Sequence, residues 1–527
     1  MKKYNHYFKI SLLLMGLSAA GCKKDFFNRP PADTLTLDNF YQTTDQVQAG
    51  TNALYNSPWF DWNNKASWSI AEMMGGNART YSPDVINFSN FSVTGDNIQL
   101  SAAWNALYSV VAQSNGVINN LPTHVAKTIP AAVVNNALGE AHFMRAVAYF
   151  YLVRTWGNVP IITNSLDYVN NYQVNTNPVT DIYKFILNDL QFAEANCTAM
   201  IRNGSKTQGH VSSGSASAFL AKVYLYMRDY ANARTEAEKV INSGEFKLYG
   251  VDIAGKTYAD LFKTANNNNE ESVAALQWQG GSAYGHGNSQ QAFFAFTSQI
   301  TGTGDGYGSV AGSIDLTSSY EAGDLRRKPT LMYPGDVYPE IDQAHGGFTV
   351  PSNAISQGTS ALLKKYVVGT PADNGGLGAA FSTGVNTYLM RYAEVLLIEA
   401  EAVLAGKAST TDPAALGPVN KVRQRAGLSP LTTVTQDNIM HERRIELAME
   451  CDYWFDLGRL DGFNVTSHPK AIAIIDNQER GIYSTTTPVV VWSQKYNISD
   501  ANFLLPYPTT ESTLNPKLLQ APVPYHF

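Results

Sequence analysis

The chain has 527 residues, 44% of them hydrophobic and only 16% charged, so it is a folded protein long enough for a large core rather than a disordered one. Its 38 Lys and Arg against 44 Asp and Glu give a net charge of −6 with no basic stripe, which excludes nucleic acid as a partner. Aromatics run high, at 8 Trp, 29 Tyr and 23 Phe, and a surface poor in Lys and Glu but rich in Tyr, Asn, Ser and Gly suits an exported protein that touches neutral polar ligands.

Residues 1–21 read as a targeting segment. Lys2, Lys3 and Lys9 supply the positive end, Ile10 to Leu17 a short apolar run, and Ser18-Ala19-Ala20-Gly21 the small residues ahead of Cys22. Small residues directly before a cysteine resemble a bacterial lipobox, with Ala19 where Leu is usual, so Cys22 is the expected lipidation site and the membrane is reached through that lipid. Lys23 to Phe27 and Arg29-Pro30-Pro31 then read as a tether. No later stretch of about 18 or more apolar residues follows, which excludes an internal helical span. Cys197 and Cys451 are left as free thiols, too far apart in sequence to suggest a disulfide framework or a metal site.

Helical periodicity dominates residues 40–245 and 387–460. One helix pair is readable in detail: Ala221, Tyr224, Ala233, Ala237 and Val240 carry the small/aromatic/small spacing of a tetratricopeptide-type pair, with the turn at Arg228-Asp229-Tyr230. Between the two helical blocks, residues 250–385 are rich in Gly, Asn, Ser and Tyr and read as loops with short strands; the glycines at 302, 304, 306 and 308 read as a flexible loop. The β-branched and Pro-rich segment 482–527 is expected to wrap over the helical body. The fold class is mainly α: tetratricopeptide-like helix pairs forming a scaffold, with a less regular insert and short strands.

A longer pattern emerges from blocks in order. These are Trp104 to Tyr108 through Asn115; Ala141-His142-Phe143-Met144-Arg145-Ala146 running on to Trp156-Gly157-Asn158-Val159-Pro160; and Arg391-Tyr392-Ala393-Glu394 with Glu399-Ala400-Glu401-Ala402. Asn420 with Val422 to Gly427 follows, then Glu442-Arg443-Arg444, Glu446, Glu450, Trp454, Asp456 and Arg459, and finally Leu505-Pro506-Tyr507-Pro508 with Asn515-Pro516. Behind a lipobox, this order resembles the SusD/RagB family of bacterial outer-membrane lipoproteins. Cys451 stands where Gly is usual and Tyr453 where Arg is usual. The resemblance implies a signal peptide over 1–21, an N-terminal helical region over 22–245 and a C-terminal region over 246–527 that includes the insert. It also implies a lipid-anchored place on the outer membrane, a TonB-dependent SusC-like transporter as partner, an oligosaccharide or in some members a peptide as ligand, no cofactor and no catalysis.

The most conspicuous residues are expected to be structural. Glu442, Arg443, Arg444, Glu446 and Glu450 lie at three- and four-residue spacings, and Arg423 and Arg425 can reach the same cluster, which reads as an ion network rather than a substrate clamp. Trp156 and Trp454 read as core. Gly250 to Thr257 matches the P-loop string letter for letter, but no alternating strand–helix pattern surrounds it, so it is not expected to hold phosphate. His441-Glu442 lacks a second His at Ile445, and no Gly-x-Ser-x-Gly elbow occurs. A surface glycoside hydrolase and a protein-binding scaffold stand as the alternatives from other classes.

Sugars lie on flat aromatic rings and exchange water for amide and guanidinium groups, so aromatics interleaved with such groups outside the helical motifs are the ligand candidates. One cluster is Trp59, Trp62 and Trp68 followed by Asn77, Arg79 and Tyr81. The other lies in the insert: Trp278, Tyr284, His286, Asn288 and Tyr307. The tryptophans favour a glycan over a peptide.

Overall fold

The computed structural model describes residues 36–37, 39–199, 209–484 and 489–527; the expected signal segment, Cys22 and the tether after it lie outside these residues. Among the described residues, nine helices carry the scaffold: α1 (Thr44–Asn52), α2 (Ile98–His124), α3 (Ala131–Trp156), α4 (Val179–Asn196), α5 (Ser213–Tyr226), α6 (Tyr230–Ser243), α7 (Tyr392–Leu404), α8 (Pro413–Arg425) and α9 (Gln436–Glu446). Their starts are encoded locally. The Asn97 side chain accepts from the backbone N–H groups of Gln99 and Leu100, Thr43, Ser212 and Thr435 form reciprocal capping boxes, and Asp412 caps a helix with Pro413 in its first turn.

From α2 to α8 each helix packs on the next, although the long insert separates α6 from α7 in sequence. The tetratricopeptide-type pair is α5/α6. Ala221, Ala233 and Ala237 are fully buried where the two helices meet, Asp229 caps the second helix, and Tyr224 receives a hydrogen bond from Gln191 of α4. No helix among the described residues is long and apolar enough to cross a membrane.

The insert supplies most of the short strands. These are β1 (Ala78–Arg79), β2 (Ser272–Leu276), β3 (Ala311–Gly312), β4 (Leu331–Met332), β5 (Val337–Tyr338), β6 (Phe348–Thr349), β7 (Leu362–Leu363), β8 (Thr387–Arg391), β9 (Ile482–Ser484) and β10 (Val489–Trp492). One antiparallel sheet has the order β1-β3-β7-β4, so residues 78–79 of the N-terminal half are woven into the insert. The bulged pair β2/β8 leads straight into α7, where the backbone N–H of Tyr392 bonds the carbonyl of Glu271. The C-terminal segment wraps as expected: Trp156 donates through its indole N–H to the Pro506 carbonyl, and Tyr507 donates to that of Asn158.

The signature residues form a buried ion network as expected, but not along the helix: among the described residues no two of Glu442, Arg443, Arg444, Glu446 and Glu450 pair with each other, and their partners come from other segments. Arg391 reaches Glu271 at 2.6 Å, Glu446 at 2.8 Å and Glu450 at 2.6 Å. Arg425 pairs with Glu271 and Glu446, and Arg423 with Glu442. Arg443 bridges Glu394 and Asp456. Trp156 and Trp454 are core residues. The P-loop-like string is a chain of turns: Gly250 is left-handed, Lys256 donates to Asn266, and Thr257 caps only a short 3₁₀ turn. Nothing there presents the row of backbone N–H groups at a helix start that a phosphate needs.

One buried carboxylate on α7 stands apart from this network. Burial pushes Glu399 up to about 7, Glu238 adds to the shift, and Arg234, 3.7 Å away, offsets it only in part. Between about pH 4.5 and 7 the folded chain therefore holds a proton that the unfolded chain has released, so this group's contribution to stability declines as pH rises through that window. Glu399→Gln is expected to stabilise the protein at pH 8 by on the order of 1–3 kcal/mol and to have little effect at pH 4.5. Urea unfolding at the two pH values checks this; an effect independent of pH would remove the assignment.

Candidate functional site

The sequence proposed eleven ligand residues in two clusters, and the fold brings three of them to one place. Tyr81, Tyr284 and Tyr307 rim a single shallow pocket of 650 Å³, with 48%, 68% and 56% of their surfaces exposed. Tyr81 follows β1, whereas Tyr284 and Tyr307 come from the insert. The rings meet because β1 pairs with β3 and because Gln357 ties the two parts together. The Gln357 side chain accepts from the Tyr81 backbone N–H at 2.6 Å and donates to the Gly308 carbonyl at 2.5 Å. Thr80 adds a hydrogen bond to the Ser309 carbonyl.

Tyr307 is held by main chain. The backbone N–H groups of Tyr307, Gly308 and Ser309 bond the carbonyls of Ala292, Ala295 and Phe293 at 2.8 Å each. Gly306 has φ of +103°, and a Cβ there would sit 2.6 Å from the Thr297 carbonyl, so only glycine lets the loop lie this close. Left-handed torsions at Gly302, Gly304, Gly306 and Gly308 set the path of this loop. Phe381 completes the aromatic surface, with its ring centroid 5.7 Å from both Tyr307 and Phe293 and 6.3 Å from Tyr284. Phe381 (φ +58°) and Gln357 (φ +51°) are both left-handed, a conformation that costs such residues of order 1 kcal/mol each and that tends to gather at ligand sites.

The lining lysine of the pocket is paired within the protein, whereas the Arg79 guanidinium behind Tyr81 has no carboxylate partner among the described residues. Lys65 pairs with Asp84 and lies over the Phe293 ring, and against the effect of burial the Lys65 contact holds the Asp84 carboxyl below its ordinary range. Burial and then the Asp61 charge push the Tyr284 hydroxyl up, so at neutral pH it remains a neutral donor. Such a surface offers ring faces, hydroxyls and amides to a neutral ligand.

The other proposed contacts are corrected by their burial. Trp59, Trp62 and Trp68 lie in the core: Trp59 and Trp62 sit on short 3₁₀ and π turns against α2 and the Tyr151 ring of α3, and Trp68 packs on Phe293 and Phe294 of the insert. Trp62 has its ring 4.7 Å from that of Tyr151. The indole N–H groups of Trp59 and Trp68 are spent on the carbonyls of Leu54 and Asn64. Trp278 is buried against Phe60 and donates to Thr387. Asn77 is buried between Glu72 and Arg444, and Asn288 donates to the Val385 carbonyl. None of these presents a face to a ligand. Arg79 is also buried, yet it serves the site: its guanidinium stacks on the Tyr81 ring 4.8 Å away and donates to the Gln357 carbonyl. His286 is exposed and bonded to Ser57, outside the pocket lining.

Lys65, Phe381 and Gln357 were missed. No sequence signal marks Phe381 or Gln357 beyond their neighbouring glycines, because their role arises from left-handed torsions that bring them to the pocket. Among the described residues, no group of His, Cys, Asp and Glu is arranged to hold a metal ion.

A continuous array of packed helices that carries an irregular insert, with exposed aromatic rings gathered at one pocket, defines a helical-repeat protein with a candidate ligand surface. The comparisons make this specific, and the chain belongs to the SusD family. The SusD family model matches residues 270–525, and a second, described as starch-binding associating with outer membrane, matches residues 29–225. A SusD-like protein of Bacteroides ovatus is 33% identical over 99% of both chains, and SusD-like protein P2 of Formosa agariphila is 28% identical over 90% of this chain and 93% of that one. A crystal structure solved with a xylogluco-oligosaccharide is 33% identical and superposes with a TM-score of 0.81, covering 91% of this chain and 99% of the other.

Proposed function

We propose that the protein is a non-enzymatic, lipid-anchored outer-membrane protein that binds a neutral oligosaccharide and delivers it to a TonB-dependent transporter. The observation that carries the binding reading is the convergence of Tyr81, Tyr284 and Tyr307, from distant parts of the chain, on one pocket whose lining lysine is paired within the protein. Three exposed rings on one pocket offer apolar surface to a sugar chain, while Gln357, Asn64 and Ser82 line the same pocket with polar groups. The relative solved with a xylogluco-oligosaccharide makes a β-glucan of that kind the first choice of ligand. Each ring removes roughly 50–100 Å² of sugar surface from water, which gives about 1–2 kcal/mol per platform before losses and micromolar to millimolar binding in sum. Loose binding suits a protein that must hand its ligand on. Cys22 is the proposed anchor.

Calorimetric titration against xylogluco-oligosaccharides, other neutral glycans and peptides tests the reading. Heat with the xylogluco-oligosaccharides, unchanged glycan on prolonged incubation, and silence with peptides are expected. Binding confined to peptides, or release of shortened sugar, would overturn it.

A further inference from the structure

The hairpin β9/β10 is the part of the molecule that the pocket alone does not explain. All four side chains of β10, Val489, Val490, Val491 and Trp492, are exposed, and its outer edge pairs with no strand among the described residues. Four consecutive exposed apolar residues are costly to leave in water and mark a surface that meets something.

The base of this hairpin is firmly built. Glu479 accepts from the backbone of Gly481 and Gln494 and from Ser493, and Arg480 donates to the carbonyls of Met73 and Met74. Tyr483 is buried and donates to the carbonyls of Gly312 and Ser313, so β9 lies across β3. Ile482 points the other way, toward Gly358. That glycine (φ +76°) is bordered at once by the Ile482 side chain, the Tyr81 hydroxyl and the Arg79 guanidinium; a Cβ there would come within 2.9 Å of the Tyr81 hydroxyl and 3.2 Å of Ile482 Cγ1. In the antiparallel register Ile482 faces Trp492, and directly opposed residues project from the same face. The Trp492 indole, 50% exposed, therefore stands on the Tyr81 side of the hairpin, next to the pocket rim, and among the described residues it makes no ring contact and no hydrogen bond.

We infer that Trp492 is a further sugar platform, continuing the Tyr284–Tyr307–Tyr81 surface onto the hairpin, so that the protein distinguishes long oligosaccharides from short ones. The inference rests on the carbohydrate reading above. The occupant it commits to is the same glycan chain running past Tyr81, because β9 adjoins that rim at Ile482, β10 is paired on β9, and its side chains carry no charge. A short ligand is satisfied by the tyrosines alone. A longer one gains an indole, the ring with the largest stacking face, and an indole N–H free to donate to a hydroxyl.

The test is titration of the full chain with single-repeat and multi-repeat xylogluco-oligosaccharides. Trp492→Ala is expected to weaken the multi-repeat ligand about tenfold and leave the single-repeat ligand unchanged; Trp492→Phe should restore most of the loss. Val491→Ser, at the neighbouring bulged position, serves as the control for disturbance of the hairpin and should change neither. Equal affinities of wild type and Trp492→Ala for the long ligand would overturn the inference while leaving the tyrosine site intact, and would assign the hairpin to a protein partner. A parallel loss in Val491→Ser would also overturn it, as a structural effect. Failure of the wild-type chain to bind either ligand would remove both readings together.

Discussion

Glu446→Gln is expected to lower stability by about 3–5 kcal/mol, because it leaves buried guanidinium groups without their shared counter-charge. Glu446 has no exposed surface and accepts from Arg391, Arg425 and Arg326. Burial alone would raise its carboxyl; the three guanidinium charges override this and hold it well below the usual carboxylate range. The contribution is therefore fully present above the unfolded value near 4.5 and is lost as pH falls through the acid range toward the depressed folded value. Chemical unfolding at pH 7 should show the full deficit, and the gap to wild type should narrow below about pH 4.5. The position makes the effect more than local. The network joins α9, α8, β2, β8 and the Arg326 segment, and it is the charged fastening between the helix array and the insert that carries Tyr284 and Tyr307. Equal unfolding free energies for wild type and variant would show that the apolar core alone carries the junction.

The largest effect on binding is expected from Tyr284→Ala combined with Tyr307→Ala. At about 1–2 kcal/mol for each ring the pair should cost on the order of a hundredfold in glycan affinity. Both side chains are more than half exposed, and the Tyr307 loop is held by backbone hydrogen bonds, so the melting temperature should stay close to wild type. Tyr81→Ala is a less selective probe, since its ring also supports the buried Arg79 guanidinium. Retained affinity in the double variant, with the fold intact, would move the ligand away from this pocket. The cavity of 1240 Å³ beside Lys256, Tyr320 and Tyr338 would be the next place to look.

The helical scaffold was legible because it is written in short-range patterns. The alanines of α5/α6 and the capping residues act through neighbours three or four positions away or through one adjacent helix, whereas the α9 charges find their partners on distant segments. Even the long-range pairing of Arg423 and Arg425 with the α9 carboxylates followed from their chemistry, since buried guanidinium groups need carboxylates. The site was legible only in part. Tyr81, Tyr284 and Tyr307 were singled out by residue type, yet type alone ranked Trp59, Trp62 and Trp68 beside them. The same aromatic preference for flat, extensive contact that suits a sugar also suits a core. What separates the two outcomes is tertiary: Trp59 and Trp62 are covered by α2 and α3 and Trp68 by Phe293 and Phe294, whereas the tyrosines sit where β1 meets the insert and keep exposed surface. Trp492 went unnoticed because, in sequence, Val-Val-Val-Trp reads as an ordinary buried strand.

The way Tyr307 is mounted has a consequence for how such a site can diversify. Its loop is specified by glycine torsions and carbonyl–amide bonds that make no use of the phenol ring, so the mount and the tool are encoded separately. A single codon change at that position can exchange one flat ring for another while the backbone keeps its path, and the new ring arrives already oriented, with little ordering entropy left to lose on contact. Descendants of this chain can therefore retune ligand preference one ring at a time, without passing through a misfolded intermediate.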